Sequence, residues 1–428
     1  MGQKTNIAYG DPVAVKLQAA GLFSANINRK SVMNSLAGKM PQIGDVEKNV
    51  RMQSSASYPI VRCQDFSKGK GDEVEFDFIN PVVARPFMGD KKIEGRGTGM
   101  TLTNNRIRVN QARFAIDLGS AMSSMRTPHD LRKLGRHQLQ SLMDRYMDES
   151  YLVHLAGARG FHSNISWVMP TDADAEFAAM AVNAVKAPTK NRHFLSTGSG
   201  IEEMGVTSGE TKVATSDVFN RDVVDNIRTM LESMAMPPAP VIFENDEAAT
   251  DSPLRVLLVS PAQFAAFSQD STFRTYQANA MARAQRAKMH PLFAGQNSAL
   301  WNGILVVQMP KPIRFYAGDT IKYCASHTSE TESSCVVPSG FGTTYAVDRA
   351  ILLGGQALAH GLAKHPNSGA PFFYSEETMD HQNSLEMAIA AIHGCGKVRF
   401  EIDHGDSKQF TDLGATVIDT AVSLAPGA

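Results

Sequence analysis

The chain has 428 residues, of which 43% are hydrophobic and 20% are charged, and its net charge is −1. This composition is typical of a globular protein with a sizeable core and excludes a low-complexity chain. No apolar run reaches the roughly 18 residues of a membrane span, and the N-terminus lacks the apolar segment of a secretory signal.

The first predicted element is a polar arm at residues 1–65. Short apolar patches such as Val13–Leu17 are separated by Gly, Asn and Ser, so we expect no hydrophobic core from the arm alone. Residues 1–150 contain 22 Lys and Arg against 15 Asp and Glu, whereas the rest of the chain contains 20 against 28. This basic third suits either a polyanion or ion pairs with acidic segments of neighbouring copies, and both interpretations stay open.

An extended β-hairpin is predicted after the arm. In Gly71–Asn80 the apolar residues Val74, Phe76 and Phe78 alternate with acidic residues, as they do in a strand. Arg106–Leu118 is the predicted return strand, and the segment between them is rich in Gly and charge, which is typical of a hairpin tip. Because so polar a hairpin has little apolar surface for its own domain, we expect it to need a partner surface.

A long helix is predicted to begin at Thr127–Asp130 and to continue past Ala156. Its first residues combine an N-cap threonine, a proline at the first helical position and an early aspartate. Apolar residues then follow at helical spacing, namely Leu131, Leu134, Leu142, Tyr146 and Leu155. About 30 residues span about 45 Å, which exceeds an average globular helix and indicates a spine.

The remainder mixes helices with strands, so the predicted fold class is α+β. Helices are predicted at Asp217–Met236, after Pro261 and at Phe273–Lys288. The predicted strands are Val241–Phe243, Leu254–Ser260, Gly303–Gln308, Lys397–Ile402 and Ala415–Thr420.

The motif search predicts no catalytic, cofactor or metal site. Gly95–Gly99 differs from a dinucleotide-binding loop because its glycines precede a strand rather than a helix. Asp403–Asp406 is interpreted as a turn rather than a cation site, and His360 and His365 are assigned to the surface. Four cysteines are too few for a disulfide framework and favour free thiols in a reducing compartment. They are Cys63, Cys324, Cys335 and Cys395.

Short segments between about residue 65 and residue 425 carry a family resemblance. On the hairpin and helix these are Lys70–Phe76, Met88–Asp90, Ile93–Gly95, Val109–Gly119, Met122–Arg126 and Leu131–Arg132. Further along they are His290–Gly295, Asn302–Gly303, Arg349–Leu358, Glu376, Asp380, Asn383, Gly396–Lys397, Phe400 and Thr411–Gly414. In this order they resemble the major capsid proteins of tailed bacteriophages, in particular those of N4-like podoviruses. Val168–Ser216 and Tyr323–Gly342 depart from the family pattern, and the second resembles a loop particular to this chain.

The resemblance implies an HK97-like phage capsid fold, in which the hairpin is the extended loop that lies over a neighbouring subunit. The implied divisions are the N-terminal arm (1–65), the extended hairpin loop (66–120), the spine helix of the peripheral domain (121–160), a mostly axial domain with surface insertions (161–345) and the remaining peripheral and axial strands (346–428). The implied function is self-assembly into hexamers and pentamers of an icosahedral head that encloses double-stranded DNA, with no enzymatic activity.

The resemblance also implies sites and partners. Contacts between subunits are expected at the hairpin tip, from Met88, Asp90, Lys91, Lys92, Glu94 and Arg96. For the lysines, Glu94 and Arg96 the alternative that they are solvated loop charges stays equally open. Arg29, Lys30 and Lys39 of the arm are expected to face packaged DNA through its phosphates, without sequence specificity. The other expected partners are a portal protein at one vertex, a separate scaffolding protein and a decoration protein. No cofactor or membrane partner is expected, and the location is the virion capsid, assembled in the host cytoplasm.

Two other interpretations stay open. An encapsulin-like compartment shell would share the fold but enclose protein cargo rather than DNA. A soluble α/β hydrolase or binding protein would form a small oligomer, whereas a capsid subunit forms megadalton particles.

Overall fold

The structure, a computed structural model, describes most of the chain in a series of segments. They are residues 32–38, 54–55, 57–66, 72–79, 86–90, 92–100, 102–120, 131–163, 166–197, 200–234, 236–243, 253–269, 298–365, 369, 371–379, 381–403 and 408–424. The predicted helix Phe273–Lys288, the predicted helix start Thr127–Asp130 and most of the turn Asp403–Asp406 lie outside them.

The fold contains both helices and strands, as the sequence predicts. The helices in these segments are α1 (Val32–Ser35), α2 (Leu131–Ala156), α3 (Phe177–Ala181), α4 (Arg221–Ser233) and α5 (Pro261–Ser268), with 3₁₀ turns at Lys190–Arg192 and Ser339–Phe341. None of these helices combines the length and the apolarity needed to cross a membrane.

The first strands of the chain are β1 (Ile60–Phe66), β2 (Glu73–Ile79), β3 (Leu102–Arg108), β4 (Asn110–Ser120), β5 (His193–Ser196), β6 (Ile201–Glu203), β7 (Val206–Thr207), β8 (Glu210–Thr211), β9 (Arg255–Val259), β10 (Ser298–Trp301) and β11 (Ile304–Gln308). The later strands are β12 (Arg314–Phe315), β13 (Thr320–Cys324), β14 (Glu332–Val336), β15 (Tyr345–Leu353), β16 (Leu358–Ala363), β17 (Phe372–Met379), β18 (Ser384–Lys397), β19 (Arg399–Asp403), β20 (Lys408–Asp412) and β21 (Ala415–Ser423).

The central sheet has eight strands in the order β10-β11-β9-β15-β21-β5-β6, with β12 paired to β15. Every residue of β9 is buried, and so is every residue of β15 except the first, Tyr345, and every residue of β21 except the last, Ser423. Continuous apolar strands of this kind form where both faces of a sheet are covered. The predicted strands at Leu254–Ser260, Gly303–Gln308 and Ala415–Thr420 are confirmed as β9, β11 and β21.

Helices α4 and α5 cover one face of this central sheet. The side chain of Asn220 caps α4 by accepting a 3.0 Å hydrogen bond from the Val223 amide. Ser260 and Gln263 form a capping box at the start of α5, next to Pro261. Both predicted helices are therefore confirmed, with α4 shorter than predicted, and Val241 forms only a single β-bridge where a strand was predicted.

The long helix α2 lies on a second sheet, in which β1-β16-β18-β17 pair in that order and β4 pairs with β18. Its 26 described residues span about 39 Å at 1.5 Å per residue, so the predicted spine is confirmed. The helix ends at Gly157, which has φ +67° and donates from its amide to the Val153 carbonyl at 2.9 Å. A Cβ at this glycine would lie 2.5 Å from the carbonyl oxygen of Lys186.

The predicted return strand Arg106–Leu118 is two strands rather than one. Residues up to Arg108 pair with β2, whereas β4 pairs antiparallel with β18 over most of its length. The chain changes sheets at Val109, whose amide donates to the carbonyl of Asp72 at 2.8 Å. The hairpin that stands apart from the second sheet is therefore β2–β3 alone.

Part of the predicted free arm belongs to the core. Met33 and Leu36 have no exposed surface, and β1 pairs parallel with β16. Arg62 of β1 donates to the Asn34 amide oxygen at 2.7 Å. These segments build no separate core of their own, but their few apolar side chains dock on a core built by the rest of the chain.

The predicted loop Tyr323–Gly342 is also more ordered than expected. It contains β14, which pairs with β13 and β8 in a four-stranded sheet β13-β14-β8-β7. Lys186 and Glu330 form an ion pair of 3.2 Å, and the Ala187 amide donates to Glu332 at 2.7 Å. The segment is therefore fastened to the body of the protein.

Candidate assembly surface

The hairpin tip, defined as residues 86–100 between β2 and β3, projects from the protein. Every described residue of the tip is exposed. Two turns shape it, with Gly89 at φ +67° and Gly95 at φ +75°, and the Arg96 amide donates to the Ile93 carbonyl at 3.0 Å. Glycine adopts such positive φ angles without steric cost, which explains why the tip is glycine-rich.

Large apolar side chains on and beside the tip are exposed to solvent. Met88 is 73% exposed and Met100 is 71% exposed. Of the nine large hydrophobic residues exposed in the described segments, five lie between residues 87 and 102. These five are Phe87, Met88, Ile93, Met100 and Leu102. Clusters of exposed apolar residues mark surfaces that bind a partner, and full burial of one such side chain is worth about 1.5–3 kcal/mol.

The charged residues predicted for the tip are exposed alongside this apolar cluster. Asp90, Lys92 and Glu94 form no ion pair with the described part of the chain. The Arg96 guanidinium lies 5.9 Å from the ring centre of Phe87. Lys91 lies outside the described residues. The tip thus presents both charged and apolar side chains to any partner that contacts it. Of the five exposed apolar residues, the sequence analysis proposed only Met88 as a contact residue.

The stem of the hairpin is fixed by its own ladder. Seven residue pairs run from Glu73 opposite Arg108 to Ile79 opposite Leu102. Cross-strand ion pairs join Arg106 to Glu75 at 2.7 Å and Arg108 to Asp72 at 3.5 Å. These pairs are exposed and each contributes about 0–1 kcal/mol, so the ladder and the packing beneath it hold the stem.

The underside of the stem packs on the chain's own body. Phe78 stacks on Phe400 of β19 with ring centres 4.5 Å apart and planes at 19°. Ile107 is 2% exposed and lies in a small apolar cluster with Val398 and Phe400. The Asn105 side chain donates to the Lys397 carbonyl at 3.2 Å. The expectation that the hairpin has little apolar surface for its own domain was therefore wrong for the stem.

Beneath the surface, charged side chains are paired in the core. Asp419 on β21 accepts from Arg349 Nε at 2.7 Å and Nη2 at 2.8 Å, and it lies 2.8 Å from His193 Nε2. All three side chains have no exposed surface. Burial alone would raise the pKa of Asp419, but Arg349 and His193 outweigh burial and hold it far below its usual value. Burial lowers the pKa of His193.

A second buried group of charges is centred on Asp412. It accepts from Arg399 at 2.7 Å and from Lys397 at 3.2 Å. Burial lowers the pKa of Lys397 to about 8 although Asp412 opposes the shift. A third group joins Arg314 Nε to Asp348 at 2.7 Å, beside Ser260. Arg349 on β15 also donates to the carbonyl of Ala156, the last residue of α2, at 3.1 Å. The first group of charges therefore connects the central sheet to α2.

The sequence contains a signal for these charges that was not used. Asp348 and Arg349 interrupt the otherwise apolar β15, and Asp419 interrupts β21. A charged residue inside a buried strand needs an opposite charge close by. The charges in β15 and β21 therefore indicate that these two strands are neighbours in the sheet.

The DNA-facing residues proposed for the arm are not placed. Arg29, Lys30 and Lys39 lie outside the described residues.

Comparisons with known proteins give the family. A family profile described as phage capsid protein matches residues 6–424. The capsid protein of Ralstonia phage GP4 is 22% identical with a TM-score of 0.66, and the match covers 100% of both chains. The capsid of cyanophage Pam1 is 14% identical with a TM-score of 0.59, covering 90% of this chain and 97% of that chain.

A third structure, the acid-stable capsid of Helicobacter pylori bacteriophage KHP30, is 12% identical with a TM-score of 0.53, covering 98% of this chain and 94% of that one. No curated protein matches the sequence. The structural likenesses confirm the mixed fold expected from the sequence, and the profile spans nearly the whole chain. The chain therefore belongs to the phage capsid protein family, as a major capsid protein of the head shell.

Proposed function

We propose that copies of this chain join through the hairpin tip into hexamers and pentamers that close an icosahedral head around double-stranded DNA. The observation that carries the proposal is the apolar tip, with Met88, Ile93 and Met100 more than half exposed while the stem below them is docked. The stem is already docked on the body of the chain, so a neighbour that covers the tip does not also have to order the stem.

A neighbouring copy is the natural occupant of this surface. A ring of identical subunits needs heterologous contacts in which one surface of each copy meets a different surface of the next. Each tip contact is modest, but many contacts in a closed shell act together. The proposed role is structural, without catalysis, and a peripheral domain around α2 with an axial domain around the central sheet is part of the same proposal.

The remaining partners follow from the family resemblance. We infer a portal protein at one vertex, a separate scaffolding protein and a decoration protein, with assembly in the host cytoplasm. We also propose that the chain is of the type found in N4-like podoviruses, as its sequence resemblance implies. An encapsulin-like shell is the alternative, and it differs in holding protein cargo rather than DNA.

The tip is tested by the double variant Met88→Ser/Ile93→Ser. Each full-length variant is purified and its sedimentation is compared with that of the wild type. Loss of two buried apolar contacts, worth about 3–6 kcal/mol per subunit, is expected to abolish rapidly sedimenting particles while the circular dichroism spectrum is unchanged. Met379→Ser is the matched control, because Met379 is an exposed methionine on β17, away from the tip. Particle yield that is unaffected by the double substitution would contradict the proposal.

The DNA-facing arm is tested separately. Replacing Arg29, Lys30 and Lys39 with Gln removes three positive charges near the N-terminus. Shells are expected to form, and release of packaged DNA is expected at a lower salt concentration because phosphate contacts are lost. DNA retention identical to the wild type at every salt concentration would remove the arm from the proposal.

A further inference from the structure

Two histidines and a cysteine share one face of the second sheet, beneath α2. His360 on β16 lies directly opposite Cys395 on β18 in the antiparallel ladder. His393 lies two residues before Cys395 on the same strand. Directly opposed residues, and residues two apart, project from the same face of a sheet. The pleat therefore brings these three side chains together.

The three side chains form a compact and buried group. One ring nitrogen from each histidine and the sulfur of Cys395 all lie within 4.8 Å of one another. His360 is 1% exposed, and His393 and Cys395 have no exposed surface. The group is enclosed between the sheet and the helix, so its polar atoms have no access to bulk water.

Several of these polar atoms have no partner in the described chain. Nε2 of His360 and both ring nitrogens of His393 are buried without a hydrogen bond. Each unsatisfied buried polar group costs about 1–3 kcal/mol, and native proteins rarely leave one without a partner or ligand. Three such atoms in one cluster indicate that something else binds there.

The surroundings of His360 match those of a metal-binding imidazole. Its Nδ1 lies 2.8 Å from the hydroxyl oxygen of Tyr151 on α2. Histidines that bind metals usually use the second ring nitrogen for such a hydrogen bond, which fixes the orientation of the ring. Nε2, the nitrogen without a partner, is then the one available to a metal.

We propose that His360 Nε2, a ring nitrogen of His393 and Cys395 Sγ bind one Zn²⁺ ion between α2 and the second sheet. Nitrogen and thiolate donors are the ligands that zinc prefers, with bonds of about 2.0–2.3 Å. Tetrahedral coordination at such bonds places ligand atoms about 3.5 Å apart, so the three donor atoms, which lie within 4.8 Å of one another, move closer together when the ion binds. The ion links β16 to β18 through His360, His393 and Cys395.

Binding exchanges the thiol proton for the metal. Zinc binding forms the S–Zn bond and releases the sulfur proton to solvent.

The test compares two single-thiol variants of the full-length protein, Cys395→Ser and Cys335→Ser. Cys335 is a matched control because it is also a buried free cysteine, on β14 and outside the cluster. Each protein is equilibrated with Zn²⁺ and desalted, and the bound zinc is measured by mass spectrometry. The wild type and Cys335→Ser are expected to hold one zinc per chain, and Cys395→Ser to bind more than about tenfold more weakly. Equal zinc binding by the two variants, or none by the wild type, overturns the proposal.

A second measurement needs no variant and covers the case in which Cys395→Ser fails to fold. The wild type is titrated with Co²⁺, whose thiolate complexes absorb in the near ultraviolet by charge transfer and whose tetrahedral complexes have intense visible bands. Both signals are expected at one Co²⁺ per chain, and both should disappear when Zn²⁺ displaces the cobalt. A cobalt spectrum without the thiolate band overturns the assignment of Cys395 as a ligand.

Discussion

The central sheet and the hairpin tip reverse the usual placement of charged and apolar residues. In the sheet, Asp419, Arg349 and His193 have no exposed surface, whereas at the tip Met88 and Met100 are more than 70% exposed. The buried charges are satisfied inside one chain, but no described part of the same chain covers the tip. The comparison supports the proposal that the tip, unlike the paired charges of the sheet, is covered only in an assembly.

The largest predicted effect follows from removing a buried charge. Asp419→Ala leaves Arg349 and His193 buried without their carboxylate partner, and breaking such a group costs about 3–5 kcal/mol. The free energy of unfolding of the unassembled subunit, measured in urea, is expected to fall by this amount. Glu75→Ala, which breaks an exposed pair in the hairpin stem, should cost at most about 1 kcal/mol. Equal losses would remove the distinction between the two regions.

A slightly smaller effect is expected from pH, because histidines buried in the body are neutral. Burial lowers the pKa of His154 to about 4, against about 6.5 in an unfolded chain. Between these values the unfolded state binds a proton that the folded state does not, so the stability present above about pH 6.5 is progressively lost as the pH falls toward 4, by about 3 kcal/mol for this group.

This pH dependence is measured from unfolding midpoints between about pH 7 and 4.5, a window set by the ordinary histidine pKa. His154→Gln removes the titrating group while keeping a donor for the Ala181 carbonyl, which lies 3.1 Å from His154 Nε2, so the midpoint should fall less steeply. An unchanged slope in His154→Gln would mean that this buried ring is not the group being titrated.

A backbone change in the body should cost less again. Gly157→Ala puts a Cβ at a residue with φ +67° and 2.5 Å from the Lys186 carbonyl oxygen, and strain of this kind costs about 1–3 kcal/mol. Gly340→Ala is the control, because nothing lies within 4 Å of the added Cβ there. A melting temperature that is lowered equally by both substitutions would contradict the close approach at the end of α2.

The smallest effect per contact is expected from the charges of the tip. Reversing Lys91, Lys92 and Arg96 to Glu changes exposed interactions worth about 0–1 kcal/mol each. Particle yield should decrease without a change in the melting temperature of the subunit, and it should decrease less than in Met88→Ser/Ile93→Ser. A larger loss from the charge reversal would show that the contact is mainly electrostatic.

Local signals in the sequence predicted the elements whose structure is set locally. The repeat of apolar residues predicted α2, and Pro261 with its neighbours predicted α5. The split between β3 and β4 was missed because β4 pairs with β18, more than 260 residues later, and no local pattern carries such a pairing.

The candidate sites were predicted less completely. The glycine and charge of the tip predicted an exposed turn, but Phe87, Ile93 and Leu102 were overlooked as its apolar component. His360 was assigned to the surface because its neighbours are small, and that assignment was wrong. The small residues around His360 allow neighbouring backbones to pack closely and do not indicate exposure. At Gly394, for example, a Cβ would lie 1.9 Å from the Arg108 carbonyl oxygen.

Amide hydrogen exchange of residues 86–100, compared between dissociated subunits and assembled shells, is the most direct measurement. We predict rapid exchange in the free subunit and strong protection in the shell, while β15 is protected in both states. Exchange of the tip that is equally fast in shells and in free subunits would contradict the proposal that a neighbouring copy covers it.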